Sequence, residues 1–252
     1  MSAPAVADVD VVILAWNDEP AALHAAVESA RRQSGVDVAV TVVDNGSEPP
    51  AAVAAPGVRV IRSATNLGVG GGRNLGTRAG RAAYVCVLDS DARLRPGALA
   101  RLAAALDADP RIGLAAPVFT GQPPEASAGR APTLRRKLAR ALNRTDRYEP
   151  TRGQGDGEAW DVEFAIGACQ LFRRDVFDAL GGIDESARFG PEDVDFCLRA
   201  RRAGWRVAQV GAAACDHPPR RAFRALWSRR GREHAAAFAR HWWRHRGALA
   251  RR

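Results

Sequence analysis

Apolar positions in this chain fall into short unbroken runs, separated by longer stretches with helical spacing. Val9-Asp10-Val11-Val12-Ile13-Leu14-Ala15 is apolar and β-branched over a strand's length, the pattern of a strand covered on both faces. Val38 to Val43 and Ala83 to Leu88 repeat it, and Val58 to Ile61 reads as a short further strand. Between the first two runs, Asn17-Asp18-Glu19-Pro20 offers a cap, early acids and a first-turn proline, predicting a helix to about Ser34. Gly71 to Gly80 is expected to be helical despite its glycines, and Pro96 to Leu106 reads as an Ala/Leu helix. Strands alternating with helices imply an α/β fold: a mainly parallel, Rossmann-like sheet with helices on both faces.

Across residues 120–157 the pattern fails, with Pro, Gly, Arg and Ser dominant and one short basic helix expected at Leu134 to Leu142. That much irregular chain inside a domain reads as a variable functional loop or an insert. Order is expected again from Trp160 to Phe172. A helix follows from Asp175 to Leu180, stopped by Gly181-Gly182, and another from Pro191 to Ala203, stopped by Gly204. Trp205 to Val210 should be a strand leading to Cys215-Asp216-His217-Pro218. The division expected is a body over 1–217 and a tail over 218–252.

Charge sharpens that division. The net +9 comes from the tail: residues 218–252 hold eleven arginines and one acid, Glu233, whereas the other 217 residues carry 26 basic and 27 acidic groups. The high pI therefore says nothing about the body, and no nucleic-acid module is recognisable, so no nucleic-acid partner is expected. Phe223, Leu226, Trp227, Phe238 and Trp242 can share one side of a tail helix, as in an amphipathic helix on an anionic membrane. The plain alternative is that this stripe packs back on the body. The four cysteines are widely spaced with no Cys-x-x-Cys pair, which reads as buried thiols in a reducing compartment. No basic-then-apolar leader opens the chain, and no apolar run approaches the ~20 residues that span a bilayer. Cytoplasmic residence is expected, with the tail as a peripheral membrane contact.

The candidate chemistry sits at strand ends. Asp44 closes one apolar run, Asp89-Ser90-Asp91 closes another, and Glu192-Asp193 with Asp195 opens a late helix. In an open α/β sheet the strand ends form the edge where ligands bind. Asp89 and Asp91 point to one side of an extended segment and could hold Mg²⁺ or Mn²⁺ while phosphates complete the octahedron. Alone, such a pair is as readily a polar turn or a cap for the helix at Pro96. Glu192 and Asp193 equally suit a helix N-terminus, and Asp195 can pair with Arg199 at i+4. Asn66-Leu67-Gly68-Val69-Gly70-Gly71-Gly72-Arg73-Asn74-Leu75-Gly76 could let the backbone approach a phosphate or nucleoside, or be a plain glycine-rich turn.

In this order, with Gly-Ala-Cys-Gln, Gly-Gly-Ile-Asp-Glu and a late His217, the segments resemble the family 2 glycosyltransferases of the GT-A fold. The likeness runs roughly from Val9 to His217 and is greatest to rhamnosyltransferase-type and galactofuranosyltransferase-type members. It implies nucleotide-sugar contacts from Ala15, Asp44, Asn66, Gly72, Arg73, Asp89 and Ser90, with Asp44 reading the nucleobase edge. It implies metal ligation by Asp91 and His217, and a catalytic Glu192-Asp193 pair with Asp193 as the base. Trp160, Gly167 and Ala168 are expected to face the acceptor. The activity implied is inverting, Mg²⁺- or Mn²⁺-dependent transfer from a nucleoside-diphosphate sugar, UDP- or dTDP-linked, to an acceptor hydroxyl on a glycan, a polyprenyl-linked sugar or a small molecule. A sugar-nucleotide nucleotidyltransferase would carry its glycine loop after the first strand, whereas here it follows the third. A non-catalytic membrane- or polyanion-binding protein is the other alternative.

Overall fold

A computed structural model describes residues 7–53, 55–121, 126–131, 159–218 and 239. The helix expected at Leu134 to Leu142, most of the 120–157 loop, and the tail beyond 218 with its aromatic stripe, residue 239 excepted, lie outside the described residues. In chain order the elements are β1 (Ala7–Ala15), α1 (Pro20–Arg31), β2 (Val36–Asp44), β3 (Arg59–Arg62), α2 (Gly68–Ala79), β4 (Tyr84–Asp89), β5 (Arg93–Leu94) and α3 (Ala98–Ala108). They continue with β6 (Ile112–Thr120), β7 (Ala128–Gly129), β8 (Ala159–Asp161), β9 (Phe164–Ala165), β10 (Cys169–Arg173), α4 (Arg174–Ala179), α5 (Glu192–Arg202) and β11 (Arg206–Asp216).

The main sheet runs β3-β2-β1-β4-β10-β6-β11-β5, with β8 also paired to β11. Its first four strands are parallel, as the alternation of elements predicts. β10 then enters antiparallel between β4 and β6, so the sheet as a whole is mixed. Neither β6 nor β10 stands out in the sequence as a separate strand. β6 reads Ile-Gly-Leu-Ala-Ala-Pro-Val-Phe-Thr, poor in β-branched residues, yet eight of its nine residues are buried. Its proline is tolerated because β10 pairs only with Leu114 and Ala115, while β11 bulges beside Pro117, between Val210 and Ala214.

Strand alternation divides the core between the two faces. Val9, Val11, Ile13 and Ala15 pack with Leu23 and Val27 of α1 and Leu99, Leu102 and Leu106 of α3. Val12, Val85, Val87 and Phe172 pack with Val176 of α4 and Phe196 of α5 on the other side.

Register sets the working edge. Ala15 lies opposite Asp44 on one flank of β1, and Leu14 lies opposite Asp89 on the other. The antiparallel start of β10 brings Gly167 and Ala168 against the end of β4, where the Asp89 amide donates to the Ala168 carbonyl at 2.9 Å. The end of β11 pairs with Arg93 of β5 and with Thr120, so His217 emerges beside the Asp89–Asp91 turn.

Candidate active site

In the Asp-Ser-Asp turn the Asp89 side chain is partly exposed, that of Asp91 is only 9% exposed, and Ser90 between them is 4% exposed. Asp89, Asp91 and His217 each bring one ligand atom within 4.8 Å of the others, with Nε2 of His217 at 3.8 Å from Oδ1 of Asp91. The Phe119 ring packs on the imidazole at 5.1 Å between centroids. Two carboxylates and one imidazole at this spacing fit a divalent cation that keeps open positions for phosphate oxygens.

Across the edge stands the N-terminus of α5. Asp193 is half-buried and anchored by backbone: its Oδ2 accepts the Gly167 amide at 3.0 Å and its Oδ1 the Val194 amide at 2.7 Å. Glu192, its neighbour, is buried. One oxygen accepts from Arg73 at 3.2 Å and the other has no hydrogen-bond partner among the described residues. Burial, reinforced by the Asp193 charge and opposed by Arg73, pushes the Glu192 carboxyl up to about 7.

A stability signature follows from Glu192. Between its ordinary 4.5 and about 7, the folded chain keeps a proton that the unfolded chain has released, so this group's contribution falls as pH rises and then levels off. Glu192→Gln, neutral at every pH, is expected to gain on the parent by roughly 3 kcal/mol between about pH 5 and pH 8. Urea midpoints at the two pH values read it, and a pH-independent difference between the two proteins would contradict it.

Arg73 is where the structure departs most from expectation. The family resemblance implies a place beside the nucleotide; in the structure Arg73 is 3% exposed and stands behind the carboxylates. Its Nη2 donates to Asp89 at 2.8 Å and to the Gly167 carbonyl at 2.6 Å. Burial alone would lower its pKa, but Asp89, Glu192 and Asp193 outweigh that and raise it, keeping the guanidinium charged.

The glycine-rich segment forms α2, in line with the helix expected from Gly71 to Gly80, and its missing side chains are filled by protein. A Cβ on Gly72 would meet Leu14 at 2.3 Å, one on Gly76 would meet Val12 at 2.4 Å, and one on Gly70 the Asp184 carbonyl oxygen at 2.1 Å. These glycines let α2 lie directly on β1 and on the 183–190 loop, so Gly72 is packed on the sheet and closed to a phosphate. Asn66 works locally, its Oδ1 accepting the Gly68 amide at 2.8 Å.

Asp44 and Ala15 reach the edge at its opposite end. Asp44 is 1% exposed and orders the loop after β2: its oxygens accept the Ser47 and Ala51 amides and the Arg62 guanidinium at 2.8 Å. Burial would raise its pKa, yet these donors together hold it below the usual carboxylate range. Ala15, 1% exposed, gives its carbonyl to the Asn45 amide at 2.8 Å. Asn17, expected as a helix cap, instead takes a positive φ of 52° and its side chain accepts the Glu48 amide at 2.8 Å.

Gly167 and Ala168 are buried between the acid clusters, as backbone support. Trp160 does not join them. It lies on β8 opposite Gln209, whose neighbour on β6, Ala116, is four residues short of Thr120, about 13 Å back from the working edge. It packs with the second core cluster instead. Sequence reasoning missed Trp16 and Phe189, whose rings meet at 5.7 Å beside the end of β1. It also missed Asn74, which binds both the amide and the carbonyl of Ile183. Only Trp16, directly after a strand end, carried a local signal.

The sequence profile of glycosyl transferase family 2 matches residues 10–181, more than half of the chain. The chain belongs to that family. This family 2 chain is 32% identical over 212 residues to N-acetylglucosaminyl-diphospho-decaprenol L-rhamnosyltransferase of Mycobacterium tuberculosis, covering 71% of itself and 66% of that protein. It is 44% identical over 108 residues to the succinoglycan biosynthesis protein ExoO of Rhizobium meliloti, covering 41% of itself and 31% of the relative. It thus spans between about a third and two thirds of the curated relatives' own lengths. In fold it is similar to the mannosyltransferase PcManGT of Pyrobaculum calidifontis, solved with GDP-Man and Mn²⁺. That match has a TM-score of 0.65 at 19% identity and covers 94% of this family 2 chain and 65% of the other. The architecture is the GT-A fold. Among the described residues no helix is long and apolar enough to cross a membrane.

Proposed function

We propose that this chain transfers a sugar, with inversion, from a UDP- or dTDP-linked donor to an acceptor hydroxyl, using Mg²⁺ or Mn²⁺. The observation carrying the reading is the facing pair of sites: a cation-type cluster of Asp89, Asp91 and His217 on one side, and the backbone-held carboxylate of Asp193 on the other.

Asp193 takes the proton from the acceptor oxygen as that oxygen attacks the anomeric carbon opposite the departing diphosphate. Its two amide partners fix the carboxylate's direction. Asp91, His217 and Asp89 would hold a divalent ion, which would supply charge neutralisation for the leaving diphosphate. The loop ordered by Asp44, with Trp16 beside it, frames the far end of the edge, where the base is expected to lie. One acid on the acceptor side suffices for single-step inversion.

The rhamnosyltransferase relative's name describes a polyprenyl-linked acceptor, and the same class is proposed here. The arginine-rich tail would bring the chain to the cytoplasmic face of an anionic membrane, where such acceptors lie.

Thermal shift with UDP, dTDP and GDP, each with Mn²⁺ and with EDTA, tests the donor side. A nucleoside diphosphate at a hundred times its Kd should stabilise by about 2.7 kcal/mol, roughly 5–10 °C for a domain of this size, and the shift should collapse in EDTA. A panel of sugar nucleotides should then release nucleoside diphosphate. No shift and no release with any nucleotide would remove the reading.

A further inference from the structure

We propose that Arg73 is a positioning residue, a buried strut that sets the donor-side carboxylate Asp89 and the base Asp193 at a fixed separation through the Gly167 peptide. The inference rests on the reading of Asp193 and Asp89 given above and adds the part that joins them.

One guanidinium nitrogen, Nη2, reaches both Asp89 at 2.8 Å and the carbonyl of Gly167 at 2.6 Å. The amide of the same glycine donates to Oδ2 of Asp193 at 3.0 Å. The path from donor edge to base therefore contains one side chain and one residue's backbone. Nη1 adds a second tie to α5 through Glu192. The partners lie 16, 94 and 119 residues from Arg73 in the chain, on β4, before β10 and at the start of α5. Only the fork of an arginine spans them, since a lysine is a single point donor.

Residue 167 has to be glycine for the same reason. A Cβ there would stand 2.5 Å from Nη1 and 3.1 Å from the guanidinium carbon. The colliding atoms are the end of a side chain, so the fold can accommodate Gly167→Ala, but only by moving a guanidinium that three acceptors hold. Gly167→Ala thus shifts the strut without removing its charge, and Arg73→Lys removes the fork while keeping the charge.

The two substitutions form a cycle. Each alone is expected to lower kcat by about 10- to 100-fold, the scale of a misplaced reacting group, with nucleoside-diphosphate affinity in Mn²⁺ within about threefold of the parent. In the Arg73→Lys background no guanidinium remains to collide, so Gly167→Ala should add little, and the double variant should match Arg73→Lys alone. Multiplicative kcat losses would overturn the strut. So would nucleotide affinity falling in step with kcat, which would make Arg73 a donor contact. If the parent transfers no sugar at all, the functional reading fails separately. The same cycle read in Tm still decides the strut: non-additive losses keep it and additive losses end it.

Discussion

Asp193→Asn is expected to lower kcat by about 10²–10⁴-fold, the contribution of a positioned general base. The amide is isosteric: its carbonyl oxygen can still accept the Gly167 amide that Oδ2 accepts at 3.0 Å, while its NH2 meets the Val194 amide that Oδ1 accepts at 2.7 Å, and neither contact involves the Asp89, Asp91 and His217 cluster. Nucleoside-diphosphate affinity with Mn²⁺ should therefore stay at the parent value while turnover collapses. The neighbouring acid supplies the internal comparison. Glu192 is buried against Arg73, whereas Asp193 is half-open at the edge, so Asp193 is the acid an acceptor hydroxyl can reach. Glu192→Gln should cost less turnover than Asp193→Asn. A reversed order, with Asp193→Asn within threefold of the parent, would transfer the base role to Glu192.

The second large effect is on stability. Glycine is about 1 kcal/mol worse than alanine inside a helix, so an open glycine loop or an exposed helix would gain from Gly70→Ala. The structure predicts the opposite sign. The new Cβ would sit 2.1 Å from the Asp184 carbonyl oxygen. That carbonyl is backbone, in a segment tied to α2 by Asn74 at Ile183 and by the Val69 amide at the Arg188 carbonyl, 2.9 Å. Something rigid must move, and overpacking against backbone lies at the upper end of the usual range, about 3 kcal/mol. A Tm loss of roughly 6–12 °C is expected for a chain of this length. An unchanged or raised Tm would restore the reading of this segment as an open turn. Because the same segment carries Phe189 to its contact with Trp16, donor affinity should weaken alongside.

These two sites show what a sequence carries and what it omits. The runs that became β1, β2 and β4 were legible because a strand covered on both faces is apolar along most of its length, and the exception in β1, Asp10, is buried against Arg174 at 2.7 Å. The acids at their ends were legible because a charge cannot follow such a run without reaching the sheet's edge. β6 was not, since Ala, Gly and Pro serve a buried strand only when a bulge and a short neighbour accommodate them. The glycines of α2 could not be interpreted locally either. A missing side chain means close approach, and the approaching atoms belong to Val12, Leu14 and Asp184.

By itself the sequence determined the alternation of strands and helices, the strand-end position of Asp44, Asp89 and Asp91, the two acids at the start of α5, and membership of the family. These follow from burial and chain order, which each segment expresses in its own composition. Tertiary structure alone decided that Arg73 lies behind the site, that Asp193 stays half-open while Glu192 is enclosed, and that Trp160 lies away from both. Desolvation and pairing depend on groups arriving from a hundred residues away, and no local pattern encodes them.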